Sequence, residues 1–334
     1  MIMSTILEQI SNFFTPLKFG INADFSIQEK ADSMPNEHMD WAIRHGNFDK
    51  TGFTGKGERV GILDSGIDPN HADLRGQVDA HCFIDGCQDS PSYLDHIGHG
   101  TFCAGEIVAK QDGIGIVGVA PEASAFCGKV LYGNHMDGYV SNFERILANA
   151  INAAANDGCG VISMSLGMNK KSSIVEQAVN NAVEKGILIF AAAGNEGMQG
   201  SPYKSYPASF TNVISVAAAN SKDLPHWFTT YGQGENRYEQ PEVAIASLEY
   251  YWGCLPQNKY GKMIGTSMAC PMMAGVALLW RQAMRSKGIL PTGKDVLGSF
   301  RKWIERTAKD TNKNGWDAAL GFGVILLQGG INVG

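Results

Sequence analysis

Long apolar runs are missing from this chain of 334 residues. Stretches such as 186–193 fall far short of the roughly 20 residues that span a bilayer, so no transmembrane helix is expected. Basic clusters are missing too: Lys and Arg never run beyond a pair, and the net charge is −6 with a pI near 5.8. That balance excludes a nucleic-acid groove and an anionic-membrane surface. Cysteine is sparse and odd in number, seven in all, which suits a reducing compartment better than a disulfide framework. Cys82 and Cys87 are close enough to raise a bridge or a zinc site, yet no second Cys/His pair stands at finger spacing. They read as ordinary thiols, with their pairing left open. The start, Met1 to Glu8, has no basic lead, and Glu8 and Gln9 break the apolar stretch a secretory signal requires. A cytoplasmic protein is expected, with secretion by a route invisible in the sequence as the alternative.

What is present is an ordinary globular composition, 44% hydrophobic with a mean hydropathy of −0.12. Thr5 to Glu8 has capping-box spacing, and Ile6, Ile10, Phe13 and Phe14 share one helical face until Pro16 stops the pattern. Residues 18–33 read as a linker, so the chain divides into an N-terminal extension, 1–32, and one large domain, 33–334. Within it, apolar strands at Val60 to Leu63, Ala125 to Leu131, Gly160 to Ser165, Ile187 to Ala192 and Val213 to Ala219 alternate with helices. Those helices are expected over His99 to Lys110, Val140 to Asp157, Ser172 to Lys185 and Met268 to Ser286. The pattern predicts an α/β fold with a mostly parallel β-sheet covered by helices on both faces. Gly113 to Gly118 satisfies G-x-G-x-x-G, but it follows a helix and opens none, so no dinucleotide site is expected.

Three motifs carry chemistry. Asp64 ends a strand in Val60-Gly61-Ile62-Leu63-Asp64-Ser65-Gly66; His99 opens a helix in Gly98-His99-Gly100-Thr101; Ser267 opens another in Gly265-Thr266-Ser267-Met268-Ala269. A serine hydroxyl is too weak an acid to attack an amide alone and needs a base within hydrogen-bond reach and a carboxylate to hold that base's tautomer. A fourth motif, Ala193-Gly194-Asn195-Glu196, places an amide donor after a strand, suited to an oxyanion. The order Asp, His, Ser separates this set from α/β-hydrolase esterases, which run Ser, Asp, His and carry G-x-S-x-G.

In order and flanking residues the chain resembles the subtilisin-like serine proteases from about residue 34 onward. The resemblance implies an endopeptidase acting on polypeptides through an acyl-enzyme, with Asp64, His99 and Ser267 as the triad and Asn195 in the oxyanion hole. A catalytically silent binding homologue is the alternative. Ser165, Leu166 and Gly167 match the family's substrate strand, which adds the peptide as a neighbouring strand. Tyr139 matches an aromatic lid over a distal subsite. Ala193, Gly194, Glu196 and Ser205 fall around the primary specificity pocket, implying large apolar or aromatic residues before the scissile bond, with Lys tolerated through Glu196. Asp73 and Asp112, with the carbonyls of Lys110, Ile114 and Ile116, match a structural calcium site, hard oxygen donors on a Gly-rich loop. Cys103 resembles the thiol beneath the catalytic histidine in the proteinase K branch. Phe102, Met272, Met273 and Ile245-Ala246-Ser247 depart from the common pattern without removing a catalytic group. The N-terminal extension is expected to lie in the cleft as a latch.

Overall fold

The computed structural model describes residues 19–20, 29–34, 36–87, 90–132, 142–197, 204–232, 240–311 and 314–333. Its strands in chain order are β1 (Phe19–Gly20), β2 (Glu29–Ala31), β3 (His38–Met39), β4 (Arg59–Asp64), β5 (Val78–Cys82), β6 (Ile116–Val117), β7 (Ser124–Lys129), β8 (Val161–Met164), β9 (Gly167–Met168), β10 (Leu188–Ala192), β11 (Ile214–Ala219), β12 (Val243–Ala246), β13 (Tyr251–Leu255), β14 (Lys259–Met263), β15 (Ala308–Lys309) and β16 (Val324–Ile325). The described helices are α1 (Trp41–His45), α2 (His99–Val108), α3 (Phe143–Asn156), α4 (Ser173–Glu184), α5 (Thr266–Ser286) and α6 (Asp295–Thr307).

Among the described residues, nine strands form the main sheet in the order β15-β16-β12-β11-β10-β8-β4-β7-β5. All its pairs are parallel except β15 with β16. Strands buried on both faces need apolar residues throughout, as β10 and β11 have. Successive side chains of β4 point to opposite faces. A Cβ on Gly61 would meet Ala154 of α3 at 2.9 Å, whereas the Cβ of Asp64, three residues on, faces Gly100 of α2. Helices α2 and α3 therefore cover opposite faces, as the sequence pattern predicts. In α3 the buried residues Phe143, Ile146, Leu147, Ala150, Ile151 and Ala154 make one stripe. Ser172 caps α4 by accepting a hydrogen bond from the Val175 N–H. Helix α5 is buried from Thr266 to Arg281, so it packs as a core helix rather than a surface one. Among the described residues, no helix is long and apolar enough to cross a membrane.

The strand order reverses at β4: β5 and β7 lie to one side of it and β8, β10, β11 and β12 to the other. Sites in open parallel sheets form at such a switch, outside the carboxyl ends of the strands. Adjacent strands β4, β8 and β10 end there at Asp64, Met164 and Ala192.

One expectation is corrected. Residues 18–33 are not simply a linker: Phe19–Gly20 pairs antiparallel with β9 and Glu29–Ala31 with β14. Local composition is uninformative there because each strand is too short to show a period and is specified by its partner. The segment ahead of Ser267 is an antiparallel hairpin, β13 and β14, outside the main sheet. It turns through Gln257 and Asn258, both at positive φ, without the Asn-Gly or Asp-Gly pair that marks such turns. The helix expected around residues 6–14 lies outside the described residues.

Candidate active site

Asp64 leaves the end of β4 fully buried, and its Oδ1 lies 2.7 Å from His99 Nδ1. A carboxylate only accepts, so Nδ1 carries the proton and Nε2 is left as the acceptor. Oδ1 also accepts the N–H of Ser65 at 2.7 Å. His99 is the first residue of α2, and glycine follows it for a steric reason: a Cβ on Gly100 would lie 2.2 Å from the Gly66 carbonyl oxygen. Any side chain there would push the helix off the strand that carries Asp64.

The start of α2 is fastened by Asp95, a buried residue that the sequence motifs did not single out. Its Oδ1 accepts from the N–H groups of Ile97 and Gly98 and from the Ser65 hydroxyl, at 3.1, 2.8 and 2.9 Å. Its Oδ2 accepts from the Thr101 N–H and hydroxyl, at 2.8 and 2.7 Å. Ser65 in turn accepts the Gly100 N–H at 2.9 Å. One carboxylate thus supplies acceptors for the helix start and links it to the residue after Asp64. The spacing Asp95-x-x-Gly98 ahead of the His-Gly-Thr motif was the available signal.

Ser267 is the second residue of α5. Pro271 sits inside the same helix and lacks the N–H that would bond the carbonyl four residues back, that of Ser267. The freed carbonyl is taken by the Ser165 hydroxyl at 2.7 Å and the Cys103 thiol at 3.6 Å. Cys103 Sγ also lies 3.9 Å from both ring nitrogens of His99. Burial pushes this thiol well above its ordinary range, so it packs as a neutral group between the Ser267 carbonyl and the His99 ring. The Ser267 hydroxyl has no hydrogen-bond partner among the described residues. Unliganded catalytic hydrogen bonds are often loose and tighten on substrate.

Asn195 follows β10. Its Oδ1 accepts from the Thr266 N–H at 2.9 Å and the Thr266 hydroxyl at 3.1 Å. Committing the amide oxygen fixes which end is the donor, and Nδ2 is left without a protein partner among the described residues. Thr266 also accepts the Gly194 N–H at 3.1 Å, so the residue beside Ser267 ties the two loops together.

The other expected residues fall into place unevenly. Leu166 is buried, so what this segment offers a neighbouring strand is backbone. Gly167–Met168 already pairs with Phe19–Gly20, in the register Gly20 opposite Gly167. Ala193 and Gly194 are buried, and the Ala193 carbonyl takes the Gln240 amide, while Gln240 Oε1 accepts the Ser205 N–H. Glu196 Oε2 accepts the Thr230 hydroxyl at 2.6 Å, and burial raises its carboxyl above the usual range. The Ser205 hydroxyl is buried and unpartnered among the described residues. Tyr139 lies outside the described residues.

Asp73 is buried and accepts from the Ile116 N–H at 2.8 Å and the Tyr260 hydroxyl at 3.1 Å. A Cβ on Gly115 would lie 2.3 Å from both Asp73 oxygens, so glycine lets the loop wrap the carboxylate. Desolvation, with a smaller push from the Asp112 charge, raises the Asp73 carboxyl above its usual range. Two carboxylates that repel, beside loop carbonyls, are hard donors that suit a calcium ion. Asp112 is exposed and pairs loosely with Lys110 at 3.8 Å. A soft-metal reading of His71, Asp73 and Cys254, which lie together, fails on hydrogen bonding. His71 Nδ1 accepts the Asp73 N–H and Nε2 faces the Lys259 carbonyl, which leaves no ring nitrogen for a metal.

A buried hydroxyl, a tautomer-fixed imidazole and a free amide donor gathered at the switch point of a parallel α/β sheet make up the constellation of the triad serine hydrolases. The chain belongs to the subtilase family, whose model matches residues 55–323. It is 39% identical over 257 residues to a thermostable alkaline protease of Halalkalibacterium halodurans, covering 76% of this chain and 66% of that protein. Subtilisin E of Bacillus subtilis is 39% identical over 229 residues, 68% of this chain and 56% of the relative. Subtilisin Savinase of Lederbergia lenta is 39% identical over 231 residues, 69% of this chain and 78% of the relative. The chain thus spans about two thirds of the first relative and little more than half of the second.

Proposed function

We propose that the protein is a serine endopeptidase that cleaves polypeptides through an acyl-enzyme. The observation that carries this reading is the Asp64–His99 pair at 2.7 Å, set with a buried Ser267 hydroxyl and the free Nδ2 of Asn195. Nε2 of His99 takes the Ser267 proton as Oγ adds to the scissile carbonyl; Asp64 stabilises the imidazolium, and Asn195 Nδ2 donates to the developing oxyanion. The imidazolium returns the proton to the leaving amine as the C–N bond breaks, leaving an ester on Ser267. Water then repeats the sequence and releases the acid. The test is labelling by a fluorophosphonate together with hydrolysis of an unfolded protein: wild type labels at Ser267 and cleaves, and Ser267→Ala does neither. Wild type that folds but fails both would leave a silent homologue.

The finer features belong to the same reading. The Ser165 to Gly167 segment binds the acyl half, Tyr139 lids it, and Ser205 and Glu196 bound a pocket for large apolar or aromatic side chains. Calcium would be held by Asp73, Asp112 and the carbonyls of Lys110, Ile114 and Ile116, where it would cancel the repulsion between the two carboxylates and stiffen the loop. A cytoplasmic site of action accords with seven free cysteines.

Residues 1–32 act as a latch. From Phe19 to Gly20 the chain passes from Met168 to Gly167, and so advances toward Ser165 in the direction expected of a bound peptide. Deleting residues 2–24, which spares β2, should raise the initial rate on a small peptide substrate. A folded truncation with no higher rate would refute the latch.

A further inference from the structure

Beside Asn195 and Gly265 opens a cavity of about 890 Å³, within the roughly 300–1,000 Å³ typical of ligand sites. Its walls include His226, Trp227, Phe228, Leu248 and Tyr250. None of Ser165, Gly167, Gly194 and Glu196, the residues assigned to the acyl half, lines it. A space that touches the oxyanion donor and the glycine two residues before the nucleophile, but not the acyl strand, faces the leaving half of the substrate, beyond the scissile bond.

Its lining is unusual in two ways. Trp227 is 59% exposed and Leu248 48%, two of the six large apolar side chains most exposed among the described residues, and a third, Leu224, lies in the same loop. Apolar exposure concentrated on one rim marks a binding surface rather than scattered surface hydrophobics. The second feature is His226, only 7% exposed, stacked on Phe228 with ring centroids 4.1 Å apart. Its Nδ1 is buried and has no hydrogen-bond partner among the described residues. Burial lowers its basicity, so the ring is a neutral imidazole that lacks one hydrogen bond, an omission that native interiors rarely leave.

We propose that this cavity selects an aromatic residue immediately after the scissile bond, with tyrosine preferred because its hydroxyl donates or accepts and so satisfies either tautomer of His226. Trp227, Phe228 and Leu248 enclose the ring, and His226 reads its polar tip. The proposal rests on the endopeptidase reading, and its test separates the two.

Peptides with a fixed acyl half and Tyr, Phe or Ala after the scissile bond are compared by kcat/KM. Tyr should exceed Ala by at least about tenfold, the discrimination a filled apolar pocket supplies. Tyr should exceed Phe by about three- to tenfold, the worth of one hydrogen bond. Ratios are taken within each variant, so a general loss of activity cancels. His226→Phe should bring Tyr/Phe to near unity, and the exposed Trp227→Ala should cut Tyr/Ala severalfold. Independently of turnover, Tyr-Ala-NH2 should bind the Ser267→Ala protein at least tenfold more tightly than Ala-Ala-NH2 by calorimetry. Equal affinities, or ratios that both variants leave intact, overturn the proposal. Hydrolysis of an ester with the same acyl half reports the peptidase reading alone: if it fails while the dipeptides are still discriminated, the cavity stands and the reading falls.

Discussion

Replacing Asp95 by asparagine tests whether His99 is held from behind. The carboxylate accepts five hydrogen bonds, three on Oδ1 and two on Oδ2. An asparagine oriented to keep the Oδ1 set turns an NH2 toward the Thr101 N–H. The Thr101 hydroxyl rotates to accept, but the backbone donor is orphaned in a buried site, at a cost of about 1–3 kcal/mol. The surviving bonds lose charge assistance, and together the two effects come to about 2–4 kcal/mol, less than the plain sum because a buried charge is removed. With an unfolding entropy of about 0.7 kcal/mol/K for a chain this long, Tm should fall by about 3–6 °C. The helix start then shifts relative to Asp64 through the Ser65 to Gly100 bond, so kcat should drop by about 10- to 100-fold with KM within twofold, as expected when positioned catalytic groups move. Calorimetry and steady-state kinetics on one peptide substrate read both. Asp95→Glu, which restores the charge with a longer reach, should recover Tm more than kcat. An Asp95→Asn protein within 1 °C and twofold of wild type would refute the reasoning.

Asn195→Ala should lower kcat by about 10²–10³-fold with little change in KM, the loss known for the oxyanion-hole asparagine of subtilisin itself; an effect confined to KM would contradict the role. Calcium at a hundredfold excess over Kd should add about 2.7 kcal/mol, so chelator should lower Tm by about 4 °C. Asp112→Ala should abolish that difference, and identical melting of wild type with and without chelator would argue against the site. Glu106 on α2 is buried with both oxygens unpartnered among the described residues, whereas the equally buried Glu242 is met by Arg301. Desolvation first, and then the Asp40 charge, raise the Glu106 carboxyl well above its ordinary range. A raised acid contributes stability that is full below its unfolded pKa and is lost as pH rises toward the folded value. Glu106→Gln should therefore flatten the fall in Tm as pH rises above the ordinary carboxyl range, leaving the variant the more stable of the two at the upper end; parallel pH profiles would exclude it.

The motifs around Asp64, His99, Asn195 and Ser267 were legible because each is local: a strand end, a helix start or a Gly-flanked turn carries its signal within a few residues. The α/β alternation was legible for the same reason, since strands buried on both faces are apolar at every position and α3 and α4 keep a 3.6-residue stripe. Sequence by itself therefore determined the fold class and the Asp, His, Ser order that distinguishes the family. Only the tertiary structure brought in Asp95 as the anchor of α2 and Thr266 as the group that orients the Asn195 amide. It alone paired the Ser267 carbonyl, freed by Pro271 four residues on, with Ser165 and Cys103 from other elements. The pairing of Phe19–Gly20 with β9 and the grouping of His226 and Trp227 with Leu248 beside Gly265 were likewise undetectable in advance. Each joins residues far apart in the chain, and periodicity and spacing report only what a segment does with its own backbone. Which distant partner satisfies a buried donor, or walls a cavity, is decided when the sheet closes and the helices pack.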